Sequence, residues 1–277
     1  MPEGDTIHRA AARMRPALVG RPLVRFEAPR VPPPWPAAGT VVTGVEARGK
    51  HHLVHFDDGW SLQTHMRMTG SWHLYRPGER WRKPRHLVRA LLEVGDRPTD
   101  PADPADRADR ADGGWVAVCF SAPVVELVRE ARTDHLGPDL CLPDADIDEV
   151  VRRMAAVDPA TPLVDVLLDQ RICCGVGNFY KSEVAFALGL HPLTPIGAVD
   201  EATRHRIAET ASRQLRANLG GGSRTTMAGP PGTLGVYGRR REPCRRCGTP
   251  VEWARTGQQA RGTYWCPRCQ PSPDPTR

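Results

Sequence analysis

Four cysteines near the C-terminus constrain the fold more than any other feature of this sequence. They form two Cys-x2-Cys pairs separated by eighteen residues: Cys244, Cys247, Cys266 and Cys269. This spacing is typical of a zinc ribbon, in which four thiolates hold one tetrahedral Zn2+. Because cysteine fills all four positions, we expect one structural zinc ion and no open coordination site. Two disulfides are the alternative, which the lack of a recognisable export signal disfavours.

Length and composition predict a globular chain. With 277 residues, of which 40% are hydrophobic and 25% charged, the chain can bury a sizeable core. No apolar run approaches the roughly 18 residues of a membrane span, and the polar residues 1–5 do not read as a secretory signal. We therefore expect a cytoplasmic protein with no membrane partner. The remaining cysteines are predicted to be reduced core thiols: Cys119, Cys141, Cys173 and Cys174.

Positive charge is concentrated towards the C-terminus. The net charge is +6, and residues 201–277 contain fourteen Arg against five acidic residues. A cationic segment of this kind suits a polyanion, because each neutralised phosphate releases counterions. Only three basic residues of the chain are Lys, however. A general preference for arginine in this sequence therefore explains the positive charge as well as a polyanion partner does. Charge alone leaves both interpretations open.

Hydrophobic periodicity separates a β-rich first half from a helical second half. An apolar stripe predicts a leading helix over 5–19, with Asp5 or Thr6 as its N-cap. Eight segments favour an antiparallel β-sandwich: 22–28, 41–47, 51–56, 60–66, 71–75, 87–94, 115–121 and 124–129. The charged three-residue repeat at 101–112 predicts a solvated loop. Helices are expected over 145–156, 162–170, 178–190 and 199–219.

The predicted fold class is therefore α+β, with three parts. Residues 1–130 would form the β-sandwich with its leading helix, 131–222 a helical domain, and 223–277 the zinc ribbon with its tail. This division follows the changes in periodicity and the glycine run at 220–222.

The N-terminus offers a candidate nucleophile. Removal of Met1 would leave Pro2 with a free secondary amine, whose attack on an aldehyde-like carbon gives an obligatory iminium cation. Glu3 beside it could exchange the accompanying proton. Lys50, in a turn between two predicted strands, could reach a phosphate. On these residues alone, an inert N-terminus and a solvated lysine are the commoner alternatives.

Three further motifs suit a nucleic acid. Met68, after Arg67 and before a glycine turn, could wedge between bases, although core filling is the commoner role of such a residue. A glycine turn opens a helix at Asn178, the predicted N-cap, and helix N-termini attract phosphates. Arg261 lies near the tip of the ribbon hairpin, where a guanidinium can bind a phosphate through two bonds.

Together these motifs resemble the formamidopyrimidine-DNA glycosylase/endonuclease VIII family, and its endonuclease VIII branch most. The resemblance runs in order through 1–5, 48–50, 65–72, 168–170, 175–178, Glu183, 236–239 and 244–270. It implies a bifunctional DNA glycosylase and abasic-site lyase of base excision repair, which acts on oxidised bases in damaged double-stranded DNA. It also implies a helix–two-turn–helix element in the helical domain and a monomeric protein.

The resemblance implies a role for each candidate. Pro2 is similar to the nucleophile that attacks C1′ of the damaged nucleoside, and Glu3 to the acid that protonates the sugar oxygen or the leaving base. Lys50 would assist phosphate binding and strand cleavage. Asn178 would grip the phosphate beside the lesion, and Arg261 would hold a phosphate during a second elimination.

The sequence departs from the family pattern in two places. The 101–112 repeat stands where the formamidopyrimidine branch has a void-filling loop, which leaves Met68 and Arg67 as the wedge and favours oxidised pyrimidines over purines. Lys181 stands where the family more often has alanine. The extent of elimination, β alone or β followed by δ, stays open. Two alternatives also stay open: a catalytically silent zinc-containing DNA-binding protein, and a metal-dependent nuclease that uses His and Asp.

Overall fold

The computed structural model describes residues 2–97, 113–129 and 133–273. The chain forms two compact units: unit 1 contains Pro2 and Thr6–Asp134, and unit 2 contains Glu3–Asp5 and His135–Arg277. The solvated loop predicted at 101–112 lies outside the described residues. Within the described ranges, none of the helices has the length and apolarity needed to cross a membrane. The three-part division stays a prediction.

Unit 1 is a sandwich of two four-stranded antiparallel sheets. One sheet has the order β1-β6-β7-β5 and the other β2-β3-β4-β8. The strands are β1 Leu23–Glu27, β2 Val42–Arg48, β3 His51–Phe56, β4 Ser61–His65, β5 Ser71–Tyr75, β6 Val88–Val94, β7 Trp115–Phe120 and β8 Val124–Val128. All eight predicted strands are present, with ends close to the predicted ones, because turn residues separate short runs rich in apolar and β-branched residues. The predicted α+β class is confirmed.

The leading helix α1 runs from Gly4 to Leu18 and continues through Pro16. Its apolar stripe, which includes Met14 and Leu18, joins the core cluster that contains Val42 and Leu62 of the sandwich. Because the helix already begins at Gly4, the prediction of Asp5 or Thr6 as N-cap is wrong.

Unit 2 contains the predicted helices, each shorter than expected: α2 Ile147–Ala155, α3 Leu163–Leu168, α4 Asn178–Leu188 and α5 Glu201–Ala217. Asp146 caps α2 by accepting from Glu149 N at 2.8 Å, and Asp200 caps α5 by accepting from Thr203 N at 2.7 Å. These aspartates set where the two helices begin, since an N-cap carboxylate accepts an otherwise unpaired helix amide.

The ribbon is the last element of unit 2. Strands β9 Glu252–Thr256 and β10 Arg261–Trp265 pair antiparallel, as predicted for the segment between the two cysteine pairs. Cys244 and Cys266 pack with Val236, Val251 and Phe186 in a small core of their own. The hairpin is therefore supported by both apolar packing and the cysteine cluster.

Candidate functional site

The carboxylate of Glu3 closes the N-terminus of α4. It accepts hydrogen bonds from the backbone amides of Gly177 at 2.9 Å, Phe179 at 2.7 Å and Tyr180 at 3.4 Å, and the side chain is fully buried. A Cβ at Gly177 would lie 2.4 Å from Glu3 Cδ, so glycine is required there. The positive end of the helix dipole is thus directed at a carboxylate of the protein itself.

The next two residues are also fixed within unit 2. Gly4 N donates to Gly175 O at 2.9 Å, and the buried Asp5 accepts from Arg224 Nε at 2.7 Å and Nη2 at 2.6 Å. The guanidinium of Arg224 lies over the ring of Phe179, 4.8 Å from its centroid. Three consecutive residues are therefore held in place directly after Pro2, which is itself half-buried. The candidate nucleophile has a tightly fixed neighbour.

Asn178 is the first residue of α4, and Gly177 occupies the N-cap position without a side-chain bond. The prediction of Asn178 as N-cap is therefore wrong, because the cap interaction comes from Glu3. Asn178 Nδ2 instead donates to Gly262 O at 3.0 Å, which places Asn178 next to the residue that follows Arg261. A phosphate needs donors, and the Nδ2 amide carries two hydrogens, of which the bond to Gly262 O uses one.

Arg261 opens strand β10 and is exposed. The turn before it is held by Asp165 of α3, whose two carboxylate oxygens accept from Gln258 N at 3.0 and 3.1 Å. Gly257 in the same turn has φ +72°, and a Cβ there would lie 2.2 Å from Asp165 Oδ1. The fold thus brings Asn178 and the start of β10, with Arg261, into one region of unit 2.

The four cysteines fit a zinc ion. Their sulfur atoms all lie within 4.8 Å of one another. Three Sγ–Sγ distances are 3.9 Å for Cys244 to Cys269, 3.4 Å for Cys247 to Cys266 and 3.5 Å for Cys247 to Cys269. A tetrahedron with Zn–S bonds of about 2.3 Å has S–S edges of about 3.8 Å, so the cluster has the right size for Zn2+. With all four ligands supplied by the protein, the zinc is structural, as predicted.

The remaining candidates lie on turns of unit 1. Lys50 is half-buried in the turn between β2 and β3. Met68 is 57% exposed in the turn between β4 and β5, so core filling does not explain it. That turn is fixed by Gly70 N, which donates to Met66 O at 2.9 Å, and by Thr69 Oγ1, which donates to Ser121 O at 2.9 Å. Arg67 beside Met68 is exposed, with φ +43°.

Three family models match successive parts of the chain. They are the formamidopyrimidine-DNA glycosylase N-terminal domain over residues 1–104, the formamidopyrimidine-DNA glycosylase H2TH domain over 136–228, and the zinc finger found in FPG and IleRS over 241–271. A probable endonuclease 8 2 of Streptomyces coelicolor is 39% identical and is matched over 99% of this chain and 96% of its own length. The chain belongs to the formamidopyrimidine-DNA glycosylase/endonuclease VIII family.

Other members of the family agree in sequence and fold. The DNA-(apurinic or apyrimidinic site) lyase Nei2 of Mycolicibacterium smegmatis is 37% identical, over 98% of this chain and 99% of the relative. The crystal structure of MutM (Fpg) from Thermus thermophilus superposes with a TM-score of 0.74 at 26% identity, over 99% of this chain and all of that one. The family resemblance and the zinc ribbon predicted from the sequence are confirmed.

The sequence alone does not identify several residues that organise the site. Arg224 and Asp165 carry no local signal, because their partners, Asp5 and the 257–258 turn, are far away in the chain. Glu183 was recognised only as part of the family pattern. Its buried carboxylate accepts from the backbone amides of Gly235, Val236 and Tyr237 at 2.8, 2.9 and 2.7 Å.

Proposed function

We propose that this DNA glycosylase and abasic-site lyase uses the amine of Pro2 to excise oxidised pyrimidines from double-stranded DNA. The observation that carries the proposal is the anchoring of Glu3, Gly4 and Asp5 directly after Pro2. A fixed neighbour holds an amine in one place, which lowers the entropy cost of reaching the transition state. We further propose that the enzyme works as a monomer in the bacterial cytoplasm.

The first step joins the protein to the sugar. The Pro2 nitrogen forms a bond to C1′ while the bond from C1′ to the base breaks, and the base leaves with a proton. Opening of the sugar ring, with protonation of its oxygen, then converts the adduct to an iminium ion. Glu3, the carboxyl group nearest to Pro2 in sequence, supplies or relays the proton. The base must first leave the helical stack, which costs a few kcal/mol and least for a damaged base.

The second step cleaves the strand. The positive iminium acidifies the C2′ proton, and its removal expels the 3′ phosphate as the bond from C3′ to oxygen breaks. Lys50 and Arg261 are the cations proposed to bind phosphates, and Asn178 donates to the phosphate beside the lesion. Loss of the 5′ phosphate through a second elimination is assigned to Arg261. Hydrolysis of the iminium then releases Pro2 unchanged.

One observation supports extrusion of the damaged base, and another supports oxidised pyrimidines as the substrates. Met68 and Arg67 form an exposed and well-anchored turn that fits the role of a wedge in the space left by a flipped base. The relatives at 39% and 37% identity bear endonuclease 8 and Nei2 names. Thymine glycol, a representative oxidised pyrimidine, is therefore expected to be excised faster than 8-oxoguanine in the same duplex.

Borohydride trapping tests the nucleophile. Purified zinc-loaded protein is mixed with an abasic-site duplex and sodium borohydride, with and without EDTA, and the covalent adduct is quantified on a denaturing gel. The Pro2→Gly variant and a chain extended by one residue before Pro2 are compared with Pro77→Gly, a matched change in an exposed turn. Mass spectrometry of the wild-type adduct locates the linkage.

We expect wild-type protein and Pro77→Gly to be trapped, and the extended chain not to be. Pro2→Gly retains a primary amine but loses the obligatory iminium that a secondary amine gives. We therefore expect much less trapped adduct with this variant. Trapping that persists unchanged in the extended chain overturns the Pro2 mechanism. Duplex binding without any adduct supports the silent DNA-binding alternative, and cleavage that EDTA abolishes without trapping supports a metal-dependent nuclease.

A further inference from the structure

Lys181 is a buried lysine whose ammonium group meets no acceptor among the residues that the structure describes. It lies on α4, its side chain is fully buried, and its Nζ has no hydrogen-bond partner in the parts of the chain that the structure describes. The other charged residue of this helix, Glu183, is surrounded by donors. Burying an ammonium group without a partner is costly. A methionine would supply a similar hydrocarbon stem without that cost, so packing alone does not explain a lysine here.

The position of Lys181 relates it to the proposed phosphate ligands. It follows Asn178 by three residues, and residues with this spacing share one face of a helix. This part of α4 contacts β10: Asn178 Nδ2 donates to Gly262 O at 3.0 Å, and Ser182 Oγ accepts from Tyr264 N at 3.4 Å. Lys181 thus lies on α4 between Asn178 and Ser182, the two residues that hydrogen-bond to β10, and β10 begins at Arg261.

The charged groups around Lys181 come from three elements. The carboxylates of Asp165, in α3, and of Glu3, which caps α4, favour the charged form of Lys181. The guanidinium of Arg261, in β10, disfavours it. Both carboxylates are already engaged, Asp165 by Gln258 N and Glu3 by the α4 amides. Desolvation is the largest influence and lowers the pKa of Lys181 to about 8. An anion near Arg261 and Asn178 would raise that pKa again.

We propose that Lys181 is a buried second cation of the phosphate site, which strengthens DNA binding at Asn178 and Arg261 without touching solvent. The inference rests on the proposed function, because it requires a DNA phosphate at this site. A charge inside the protein acts through a low dielectric and is screened little by salt, so one lysine can contribute substantially. A consequence is that DNA binding takes up a proton at Lys181 above pH 8.

The test measures binding to an uncleavable duplex that contains a tetrahydrofuran abasic-site analogue. Fluorescence anisotropy gives Kd between pH 6.5 and 9.5 for wild type, Lys181→Met and Lys181→Gln. Lys83→Met is the matched control: it removes the same charge from a half-buried lysine whose Nζ donates to Ser71 Oγ at 2.8 Å in unit 1. Zinc content and thermal unfolding establish that each variant is folded.

We expect Lys181→Met to bind about tenfold more weakly than wild type at pH 7, the effect of a one-unit rise in the pKa of Lys181 on binding. The difference should shrink as the pH rises above 8, because wild type then loses its own charge. Lys83→Met should follow wild type in its pH dependence.

A Lys181→Met variant that binds like wild type at pH 7 overturns the inference, as does a loss that is the same at every pH, which indicates packing. Lys181→Gln gives the same decision if the methionine variant proves unstable. If wild type itself does not bind the duplex, the proposed function fails instead, and the two failures are thereby distinguished.

Discussion

Replacement of Glu183 by glutamine should strongly destabilise unit 2, because one carboxylate there satisfies four donors. Oε1 accepts from Val236 N and Tyr237 N, and Oε2 from Gly235 N and Thr226 Oγ1. In Glu183→Gln one of these oxygens becomes an NH2 group. At the Oε1 position this group leaves the amides of Val236 and Tyr237 without an acceptor; at the Oε2 position it leaves only Gly235 N, because the Thr226 hydroxyl can turn and accept from the NH2. At about 1–3 kcal/mol for the one amide that is left without an acceptor in the better orientation, and with the remaining bonds made to a neutral instead of a charged oxygen, we expect a loss of about 2–4 kcal/mol.

Two measurements on zinc-loaded protein check this magnitude. Urea unfolding gives the free energy of unfolding, and hydrogen exchange followed by mass spectrometry reports the amides of residues 235–237. The control is Glu209→Gln, the same substitution at an exposed position of α5, for which we expect a change of less than about 0.5 kcal/mol.

The exchange measurement separates local from global effects. In Glu183→Gln the amides of residues 235–237 should exchange faster than other amides of unit 2, because their acceptor is changed directly. If this variant unfolds within about 1 kcal/mol of wild type while these amides stay protected, the reasoning about buried acceptors is refuted.

Three further results are expected. Lys181→Met should raise the free energy of unfolding at pH 7 by about 3 kcal/mol, because burial lowers the pKa of this lysine from 10.5 to about 8. In urea titrations the wild-type protein should gain stability between pH 8 and 10.5. A variant that is no more stable than wild type at pH 7 contradicts this prediction. Desolvation lowers the pKa of His52 to about 3, so between pH 7 and 4 the unfolded chain binds a proton at His52 that the folded protein does not. The free energy of unfolding should therefore fall by about 3 kcal/mol over this range. His52→Phe should flatten this pH dependence in acid unfolding curves. Met68→Ala should slow excision of thymine glycol several-fold in single-turnover kinetics, while trapping at a preformed abasic site stays nearly unchanged. Equal losses in the two assays exclude a wedge role.

The β-rich half was predictable because each strand carries its own signal. The strands are short runs rich in apolar and β-branched residues, and turn residues separate them, so the bounds follow from short windows of sequence, even where a strand such as β3 or β4 is buried along most of its length. The cysteine spacing was equally local. Of the candidate site, the sequence correctly indicated the zinc ligands, whereas for Met68 the local sequence favoured core filling and the structure has the side chain exposed.

What could not be predicted depends on long-range contacts. The cap of α4 was expected from Asn178, the nearest polar residue, but it comes from Glu3, which is 174 residues away from Gly177. The burial of Lys181 depends in the same way on β10, which follows much later in the chain. A helical period identifies which residues share a face, but it does not reveal which neighbour covers that face.

The contacts of residues 3–5 restrict the position of Pro2, the proposed nucleophile. Chain termini are usually poorly ordered, and an amine free to sample many positions would have to be immobilised when DNA binds. Here the carboxylate of Glu3 is held by three amides and Asp5 by a guanidinium, so the restriction on Pro2 is imposed when the protein folds. Much of the entropy cost of positioning the proposed nucleophile therefore falls on folding and not on substrate binding. The same reasoning applies to Lys181: a group that is unfavourable for folding is retained where its charge lies close to Asn178 and Arg261, the proposed phosphate ligands.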